Sequence, residues 1–502
     1  MSARQAPACC AISWVRWADV GSSPRRSSRS WPRRSQRTTG ATPEAPGDDI
    51  ERSASSAPRD AAWYGHSVLA SFTLENFKSY ERATLPLGPL TVLVGANAAG
   101  KSNLIEAMQL LAWLATGRRL ADLSAAMKSG EVSIRGRLSD LPLRNDAPLT
   151  LGCVLPSERG LPTLTLRLQL RTDNGGPRIV GEQLDASDTS DQVPYYYRID
   201  APAPAHGSEV SVAYNNFAKG RNKPHIACVD QQAVFTQLLT PARFEHPVAQ
   251  ERIPDAALRV QRALSSTLFL DPNPKEMRGY AYADEHALRG DGSNVSSTLK
   301  FLCDQGNKDR ILAFVRTLPE QDIANLEFLT TPRNEVMVRL TETFGGRAET
   351  RDGAVLSDGT LRVLAIAAAV LSVSEGSLVV IEEIDNGVHP SRAKLLLDAI
   401  FDIAKARHLR VLLTTHNPAL ADATPVAAIP DVVANYREPV SGRSALQRLS
   451  DLQDYVALVA QGPLGFLMSS GTLDRYLKDR RDEQERARQA SATLDLFRQA
   501  GQ

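Results

Sequence analysis

Three short apolar runs stand out along the chain: Leu90–Val94, Leu378–Ile381 and Val411–Thr415. Their length and their β-branched residues predict strands that are buried on both faces, as in a parallel sheet. The first run is followed by apolar residues at helical spacing over 103–120, and a second apolar helix is predicted to end at Ser372. Buried strands that alternate with helices predict an α/β fold around a parallel core sheet.

The middle of the chain has a different pattern. Apolar and polar residues alternate over 130–216, for example in Leu164–Leu170, and this alternation predicts antiparallel strands. Turn residues at Asn174–Gly176 and at Ala203–Pro204 separate the strands. An antiparallel β subdomain is therefore predicted in addition to the parallel core.

Helices are predicted after these strands and at the end of the chain. The segments around 229–266 and 293–317 have helical patterns, and Ser293 is a candidate cap for the second. Beyond the third core strand, 432–448 predicts two strands and 464–498 predicts a helical tail with charges of alternating sign. The antiparallel strands and the internal helices thus form a mixed lobe inserted between two parts of one head.

The composition fits a folded protein. Of the 502 residues, 42% are hydrophobic and 23% are charged, and the net charge is +1. No run of eighteen apolar residues occurs, so no membrane-spanning helix is predicted. The cysteines lack the spacing of a disulfide framework or a metal site, which favours a reducing, cytoplasmic location. They are Cys9, Cys10, Cys153, Cys228 and Cys303.

Residues 1–67 differ from the rest. They contain ten arginines, no lysine and six acidic residues, and they are rich in serine and proline without an apolar period. This composition predicts disorder. The segment is interpreted as an upstream start-site artefact, with an arginine-rich arm for nucleic acid and a transit peptide as the alternatives. The folded protein would then begin near Val68.

A phosphate-binding motif follows the first core strand. Gly95–Ser102 matches GxxxxGK[ST] and lies between a predicted strand and a predicted helix, the context this motif requires. Its backbone N–H groups would surround a phosphate at the positive end of the helix. Lys101 would reach the β- and γ-phosphates of ATP, and Ser102 would ligate Mg²⁺. The predicted ATP-binding residues here are Gly95, Ala96, Asn97, Ala98, Ala99, Gly100, Lys101, Ser102 and Asn103.

Polar residues end the other two core strands. Glu382 is predicted to hold Mg²⁺, Glu383 to polarise the attacking water, and His416 to orient the γ-phosphate. The alternatives are solvated acids at a strand end and a histidine at a helix entry. Asp385 is a candidate bridge between protomers or a turn cap, and His389 is given a structural role.

The chain contains, in this order, the segments LENFKSY, GANAAGKSN, LSDGTLR, VVIEEIDNGVHP and TTHNP. This set of motifs resembles the ABC-type ATPase heads of the RecF, SMC and OLD group, which are also called AAA family ATPases. This resemblance implies a P-loop NTPase fold with a mixed parallel core sheet, an antiparallel β subdomain and an insertion lobe. In such heads two protomers enclose two ATP molecules. Ser357, Asp358 and Gly359 would then complete the site of the opposite subunit, and Lys78 would lie near the nucleotide.

The sequence departs from the resembled pattern in two places. The first Walker B acid is usually Asp, and here it is Glu382, which places the same charge on a longer side chain. No glutamine has the context of a Q-loop, and Gln169 and Gln183 are the candidates.

The length and pattern of the insertion exclude some classes of protein within the resembled group. Ser102 and Ser357 are 255 residues apart, which is more than a transporter ATPase needs, and sustained heptads of an SMC coiled coil do not occur. No clustered acidic motif of a TOPRIM nuclease follows Pro418. The sequence is therefore closer to RecF-like proteins and to ATPases linked with abortive infection, and no nuclease activity is predicted.

Five segments are predicted. They are a disordered extension, 1–67; the first part of the head with Walker A, 68–128; the insertion lobe, 129–349; the second part of the head, 350–435; and a helical tail, 436–502.

The predicted function is Mg²⁺-dependent ATP hydrolysis by a homodimer that forms on ATP. Its closure would act on a DNA-repair or phage-defence partner, such as a separate nuclease or toxin. The alternative is a nucleotide-gated module that binds DNA or protein, in which hydrolysis is incidental. The basic segment Lys219–Lys223 is a candidate DNA contact, although short basic loops are usually only solvated surface.

Overall fold

A computed structural model describes residues 68–478 with seven short gaps. The gaps are 174–175, 191–192, 205–206, 221, 318–321, 345 and 386–389. The predictions for 1–67 and for the end of the tail, 479–502, lie outside the described residues. Within the described residues, no helix has both the length and the apolar character that a membrane crossing requires.

The core of the head is a row of parallel strands, which confirms the predicted α/β class. In spatial order these are β10 (Leu268–Leu270), β15 (Leu378–Ile381), β16 (Arg410–Thr415), β3 (Leu90–Val94) and β17 (Val433–Arg437). The three predicted core strands are therefore neighbours in the order second, third, first. The edge strand β10 was not predicted, although it pairs residue for residue with β15.

The antiparallel strands predicted for 130–216 are confirmed, and they continue the same sheet. Within the described residues the sheet has fourteen strands, and its two parts meet where β18 (Ser444–Arg448) pairs with β2 (Tyr80–Pro86) through Ser444 and Tyr80. The remaining strands of this sheet are β1 (Ser71–Phe77), β4 (Leu149–Leu155), β5 (Leu164–Asp173), β6 (Gly176–Ser190), β7 (Val193–Ala201), β8 (Glu209–Tyr214) and β9 (His225–Val229).

A second, smaller sheet lies in the part of the chain before Ser357–Gly359, which is called the signature segment below. Its strands are β11 (Ala281–Tyr282), β12 (Ile323–Thr330), β13 (Glu335–Phe344) and β14 (Arg347–Asp352), with β13 paired to the other three. β14 leads through a short turn into the signature segment at Ser357.

Helices cover both faces of the core sheet. They are α1 (Lys101–Ala115), α2 (Leu123–Ser129), α3 (Val234–Gln237), α4 (Pro247–Ser265), α5 (Pro274–Met277), α6 (Val295–Asp304), α7 (Lys308–Val315), α8 (Asp358–Ser372), α9 (Pro390–Ala406), α10 (Pro418–Asp422), α11 (Tyr455–Val459), α12 (Leu464–Ser469) and α13 (Thr472–Lys478). Neighbouring residues of β3 belong to different apolar clusters, Leu93 to the one with α1 and Val92 to the one with α8. The core strands are therefore buried on both faces, as their apolar sequences predict.

Several helix boundaries differ from the prediction. The helix predicted over 103–120 ends at Ala115, since Gly117 has a left-handed backbone with φ 78°. The second predicted helix, 293–317, is divided at Gly306, which has φ 83°. Ser293 as its cap was wrong: Asn294 occupies the N-cap position, and no hydrogen bond reaches the Ser293 hydroxyl from the described residues.

A buried carboxylate, Glu182, connects the antiparallel strands to α3. It accepts hydrogen bonds from the Tyr197 hydroxyl at 2.7 Å and from the N–H groups of Val234 and Phe235 at 2.7 and 2.8 Å. Burial raises the pKa of Glu182 to about 7, and the three donors oppose that shift. The Glu182 side chain therefore accepts hydrogen bonds from the first two N–H groups of α3, and the cost is a buried acid.

We expect this acid to make stability depend on pH. The folded pKa lies above the unfolded value, so the folded state holds the extra proton and loses stability as the pH rises from about 4.5 to about 7. Relative to Glu182→Gln, the wild type should lose on the order of 3 kcal/mol between pH 5 and 8. Urea unfolding of both proteins across this range measures it. The exposed Glu349→Gln serves as a control, and parallel curves for Glu182→Gln and wild type would contradict the assignment.

Candidate nucleotide-binding site

The phosphate-binding loop connects β3 to α1. Two of its residues adopt left-handed backbone conformations, Ala98 with φ 65° and Gly100 with φ 121°. The Lys101 ammonium donates to the carbonyl oxygens of Gly95 at 2.5 Å and Ala96 at 3.1 Å. The lysine therefore lies over the loop, where phosphate oxygens would replace the carbonyl partners.

The loop is held by two hydroxyl groups, one from β2 before it and one from β18 near the end of the head. The Ser444 hydroxyl donates to the Ala99 carbonyl at 2.6 Å, and the Tyr80 hydroxyl donates to the Gly100 carbonyl at 3.2 Å. A Cβ on Gly95 would lie 2.3 Å from the Asn435 carbonyl oxygen, so this position requires glycine. The contacts from Ser444 and Asn435 were not predicted, because each joins residues that are more than 300 positions apart.

Lys78 lies beside the first turns of α1. It has a left-handed backbone with φ 47°, forms an ion pair with the buried Glu106 and donates to the Arg135 carbonyl at 2.7 Å. Arg135 in turn contacts Glu106 at 2.5 Å and the Asn103 amide oxygen at 3.3 Å, while its side chain stays 68% exposed. The proximity of Lys78 to ATP remains a prediction. Arg135 is a more exposed cation here and was not predicted.

The two adjacent carboxylates follow β15 in different environments. The backbone N–H of Glu382 donates to the Leu270 carbonyl at 3.1 Å, and its side chain is half-buried. Burial, with the nearby negative charges of Asp271, Glu383 and Glu106, raises the pKa of Glu382 to about 7. A cation among these acids would lower their mutual repulsion, so the charge pattern fits a divalent metal.

Glu383 is exposed at the end of the strand and has a left-handed backbone with φ 44°. Its N–H donates to the Thr414 hydroxyl at 2.9 Å, which holds the turn against β16. A non-glycine residue rarely adopts this conformation, and such strain concentrates at functional sites. The turn thus places the adjacent carboxylates of Glu382 and Glu383 in different environments.

Asp271 is a third acid at this edge that was not predicted. β10 and β15 are paired through Leu270 and Ile381, so Asp271 and Glu382 are the next residues of adjacent strands. Partial desolvation raises the pKa of Asp271, the charge of Arg362 lowers it and that of Glu383 raises it. The Q-loop candidates Gln169 and Gln183 do not lie here, because β5 and β6 are eight and nine positions from β15 in the sheet.

His416 follows β16. Because Thr415 pairs with Val94, His416 and Gly95 are the next residues of adjacent parallel strands. Its Nδ1 lies 3.4 Å from Oδ2 of Asp385, whose side chain is only 6% exposed. The predicted roles of Asp385 as a bridge or turn cap did not include this contact, and His389 lies outside the described residues.

The positive charge of Lys101 is close to these acids. Desolvation lowers the pKa of Lys101, and the charges of Glu383 and Asp385 oppose that shift. The structure therefore brings Lys101, Glu383 and Asp385 into one electrostatic environment at the carboxyl ends of the parallel strands, where ligands bind in open α/β sheets.

The signature segment begins α8. The Ser357 hydroxyl accepts a hydrogen bond from the Thr360 N–H at 3.1 Å, so Ser357 is the helix N-cap. Asp358 pairs with Arg278 at 2.7 Å, and Arg278 also donates to the Leu356 carbonyl at 2.9 Å. Gly359 follows in the first helical turn. An arginine that sequence analysis did not select thus fixes this segment.

Family models match the two parts of the head. A model described as "AAA ATPase domain" matches residues 68–129, and one described as "AAA domain, putative AbiEii toxin, Type IV TA system" matches residues 250–422. The chain carries an AAA-family ATPase head. This confirms the family resemblance seen in the motifs, and it supports ATP binding and ATPase activity at the level of the family.

Curated relatives match short segments of this chain. The "DNA replication and repair protein RecF" of Caulobacter sp. (strain K31) is 38% identical over 96 residues, which cover 17% of this chain and 24% of RecF. RecF of Gloeobacter violaceus is 47% identical over 70 residues, which cover 14% of this chain and 17% of RecF. The matched segments thus span about a quarter or less of these relatives.

Solved structures with a similar arrangement include SMC heads. One SmcHead, bound to the C-winged helix domain of ScpA, has a TM-score of 0.42 and 12% identity, covering 76% of this chain and 97% of that chain. The SMC head domain from Thermotoga maritima has a TM-score of 0.33 and 12% identity, covering 76% and 98%.

Proposed function

We propose that this ATPase head hydrolyses ATP with Mg²⁺ and dimerises when ATP is bound. The observation that carries the proposal is the convergence of the phosphate-binding loop, Glu383 and His416 at the carboxyl ends of β3, β15 and β16. A loop that binds phosphates, an acid that polarises water and an imidazole that contacts the γ-phosphate are the groups that phosphoryl transfer to water needs.

The residues present fit magnesium. Ser102 is the second residue of α1, and Glu382 is half-buried near the negative charges of Asp271, Glu383 and Glu106. Mg²⁺ usually keeps several of its waters and binds substrate phosphates, so few protein ligands are needed. Ser102 and Glu382 would hold the ion, and its charge would offset that of the phosphates when bound.

The hydrolytic step is assigned to the side chains of the chain itself. Lys101 would leave the carbonyls of Gly95 and Ala96 to bind the β- and γ-phosphates. Glu383 would accept a proton from the attacking water as the water oxygen bonds to the γ-phosphorus and the bond from that phosphorus to the β–γ bridging oxygen breaks. His416 would contact the γ-phosphate from the adjacent strand. The products are ADP and phosphate.

The signature segment is assigned to the partner's nucleotide. Ser357, Asp358 and Gly359 present the positive end of α8, a suitable environment for phosphate, and Arg278 fixes their position. If each head completes the site of the other, closure depends on ATP and turnover is slow. A separate effector protein that recognises the closed dimer would convert hydrolysis into a biological output.

We expect ATP to convert Glu383→Gln from monomer to dimer, and Ser357→Arg to prevent this. The arginine removes the N-cap hydroxyl and places a long side chain where the partner's phosphates would lie. Light scattering with and without Mg-ATP measures the molar mass of each single variant and of the double mutant. Arg347→Ala, an exposed arginine on β14, is the control. Equal masses with and without bound ATP would contradict ATP-driven dimerisation.

DNA binding is a second candidate, favoured by the local similarity to proteins named for DNA replication and repair. The basic segment proposed as a contact is less available than its sequence suggests. Lys223 is buried and donates to the Asn216 amide oxygen at 3.1 Å and the Ala218 carbonyl at 2.9 Å. An ATP-dependent shift of duplex DNA that weakens with salt would support this candidate. No binding at low salt would remove it.

A further inference from the structure

The buried carboxylate of Asp385 is only partly satisfied. Oδ2 lies 3.4 Å from Nδ1 of His416, whereas no hydrogen bond reaches Oδ1 from the described residues. The side chain is 6% exposed, and a buried carboxylate oxygen without a donor is costly. A residue that served only as a turn cap would direct this carboxylate at backbone N–H groups. Here it faces an imidazole.

The position of this carboxylate beside Nδ1 favours one of the two neutral forms of the His416 ring. A neutral imidazole has one N–H, and a carboxylate beside Nδ1 favours the form in which Nδ1 donates. Nε2 is then left to contact another group. Because His416 follows the strand paired with β3, Nε2 belongs to the edge that carries the phosphate-binding loop.

We propose that Asp385 is the positioning residue for His416: it holds the ring through Nδ1 and leaves the unprotonated Nε2 to accept a hydrogen bond from the attacking water at the γ-phosphate. The inference rests on the proposed ATPase function and assigns Asp385 a role that neither the bridge nor the turn cap provides. The unsatisfied Oδ1 accepts a hydrogen bond from a water that enters with the nucleotide. The proton stays on Nδ1, so Asp385 transfers none itself.

A double-mutant comparison tests whether Asp385 acts through His416. Asp385→Asn should lower kcat roughly 10- to 100-fold and change ATP affinity little, because an amide orients the ring less strongly than a carboxylate. In the His416→Ala background the same substitution should have no further effect. Asp398→Asn, which alters a half-buried acid paired with Lys394 on α9, is the matched control and should retain full activity. Multiplicative losses in the double mutant would overturn the inference.

A second readout needs no hydrolysis. In protein labelled with ¹⁵N-histidine, the neutral His416 ring should show a protonated Nδ1 and an unprotonated Nε2 without nucleotide, and Asp385→Ala should change this tautomer. His416→Ala assigns the signal. If wild type fails to hydrolyse ATP but shows this tautomer, the proposed function fails and the positioning contact stands. A protonated Nε2 in wild type overturns the positioning role, whatever the ATPase rate.

Thermal unfolding separates positioning from simple loss of structure. Asp385→Asn keeps the shape of the side chain and should unfold within about 2 °C of wild type, since its loss of charge is local. Asp385→Glu should restore part of kcat if a carboxylate is what the ring requires. A large loss of stability together with no recovery by glutamate would show that Asp385 only maintains the turn, and would overturn the proposal.

Discussion

Glu383→Gln is expected to lower kcat for ATP hydrolysis by roughly 100-fold or more, the usual range for removing a group that accepts a proton from the reacting water. The amide has nearly the same shape as the acid but is a far weaker base. ATP affinity should change little, because Lys101 and the loop N–H groups supply the phosphate contacts. A phosphate-release assay at saturating ATP measures the loss, and a binding titration measures the affinity.

The matched control is Glu327→Gln, an exposed glutamate on β12 that contacts only Asn325 among the hydrogen bonds described for it. It should hydrolyse ATP at the wild-type rate. If Glu383→Gln retains wild-type turnover, Glu383 does not activate the water. The other acids of this edge, Glu382 and Asp271, would then need to be tested in that role.

The sequence predicts the centre of the head because its signals are local. The phosphate-binding loop is a contiguous motif between a strand and a helix, and the three buried strands are short uninterrupted apolar runs. These features need no knowledge of distant partners. Ser357 at the start of α8 is equally local, since a serine before a helical pattern predicts an N-cap, and the structure shows it accepting from Thr360.

Features that depend on distant pairs could not be predicted in the same way. β10 is only three residues long, and its partner β15 lies more than a hundred residues later. Asp271 therefore reads as a loop acid until the pairing places it beside Glu382. The support of the phosphate loop by Ser444, which lies 345 positions from Ala99, was missed for the same reason. Sequence periodicity indicates which face of a strand is buried but does not identify the neighbouring strand.

Local rules also fail where the site requires an unusual backbone. Glu383 and Ala98 have left-handed conformations that favour glycine, with φ 44° and 65°. In Glu383 the conformation follows the end of β15 and is held by Thr414. Conflicts between residue type and backbone are expected at functional positions, where the surrounding structure compensates for the strain. They support the assignment of this edge as the site.

Lys101→Ala is expected to weaken ATP binding by roughly 100-fold, as the loss of a charged hydrogen bond to phosphate costs on the order of 2–3 kcal/mol. The ammonium already lies at the loop, where it donates to Gly95 and Ala96. Desolvation lowers its pKa, so phosphate oxygens would offer better partners than the carbonyls. Calorimetric titration with a non-hydrolysable ATP analogue measures the change.

The stability of Lys101→Ala separates a binding role from a structural one. Without nucleotide it should unfold at nearly the wild-type temperature, because alanine suits the start of a helix and a partly desolvated charge is removed. The rise in Tm that ATP produces in wild type should be largely lost. Lys394→Ala, which removes an exposed lysine from α9, should keep that rise. If Lys101→Ala binds the analogue as tightly as wild type, the phosphates do not occupy this loop. The roles proposed for Glu383 and His416 would then also be wrong, because both require the γ-phosphate at this site.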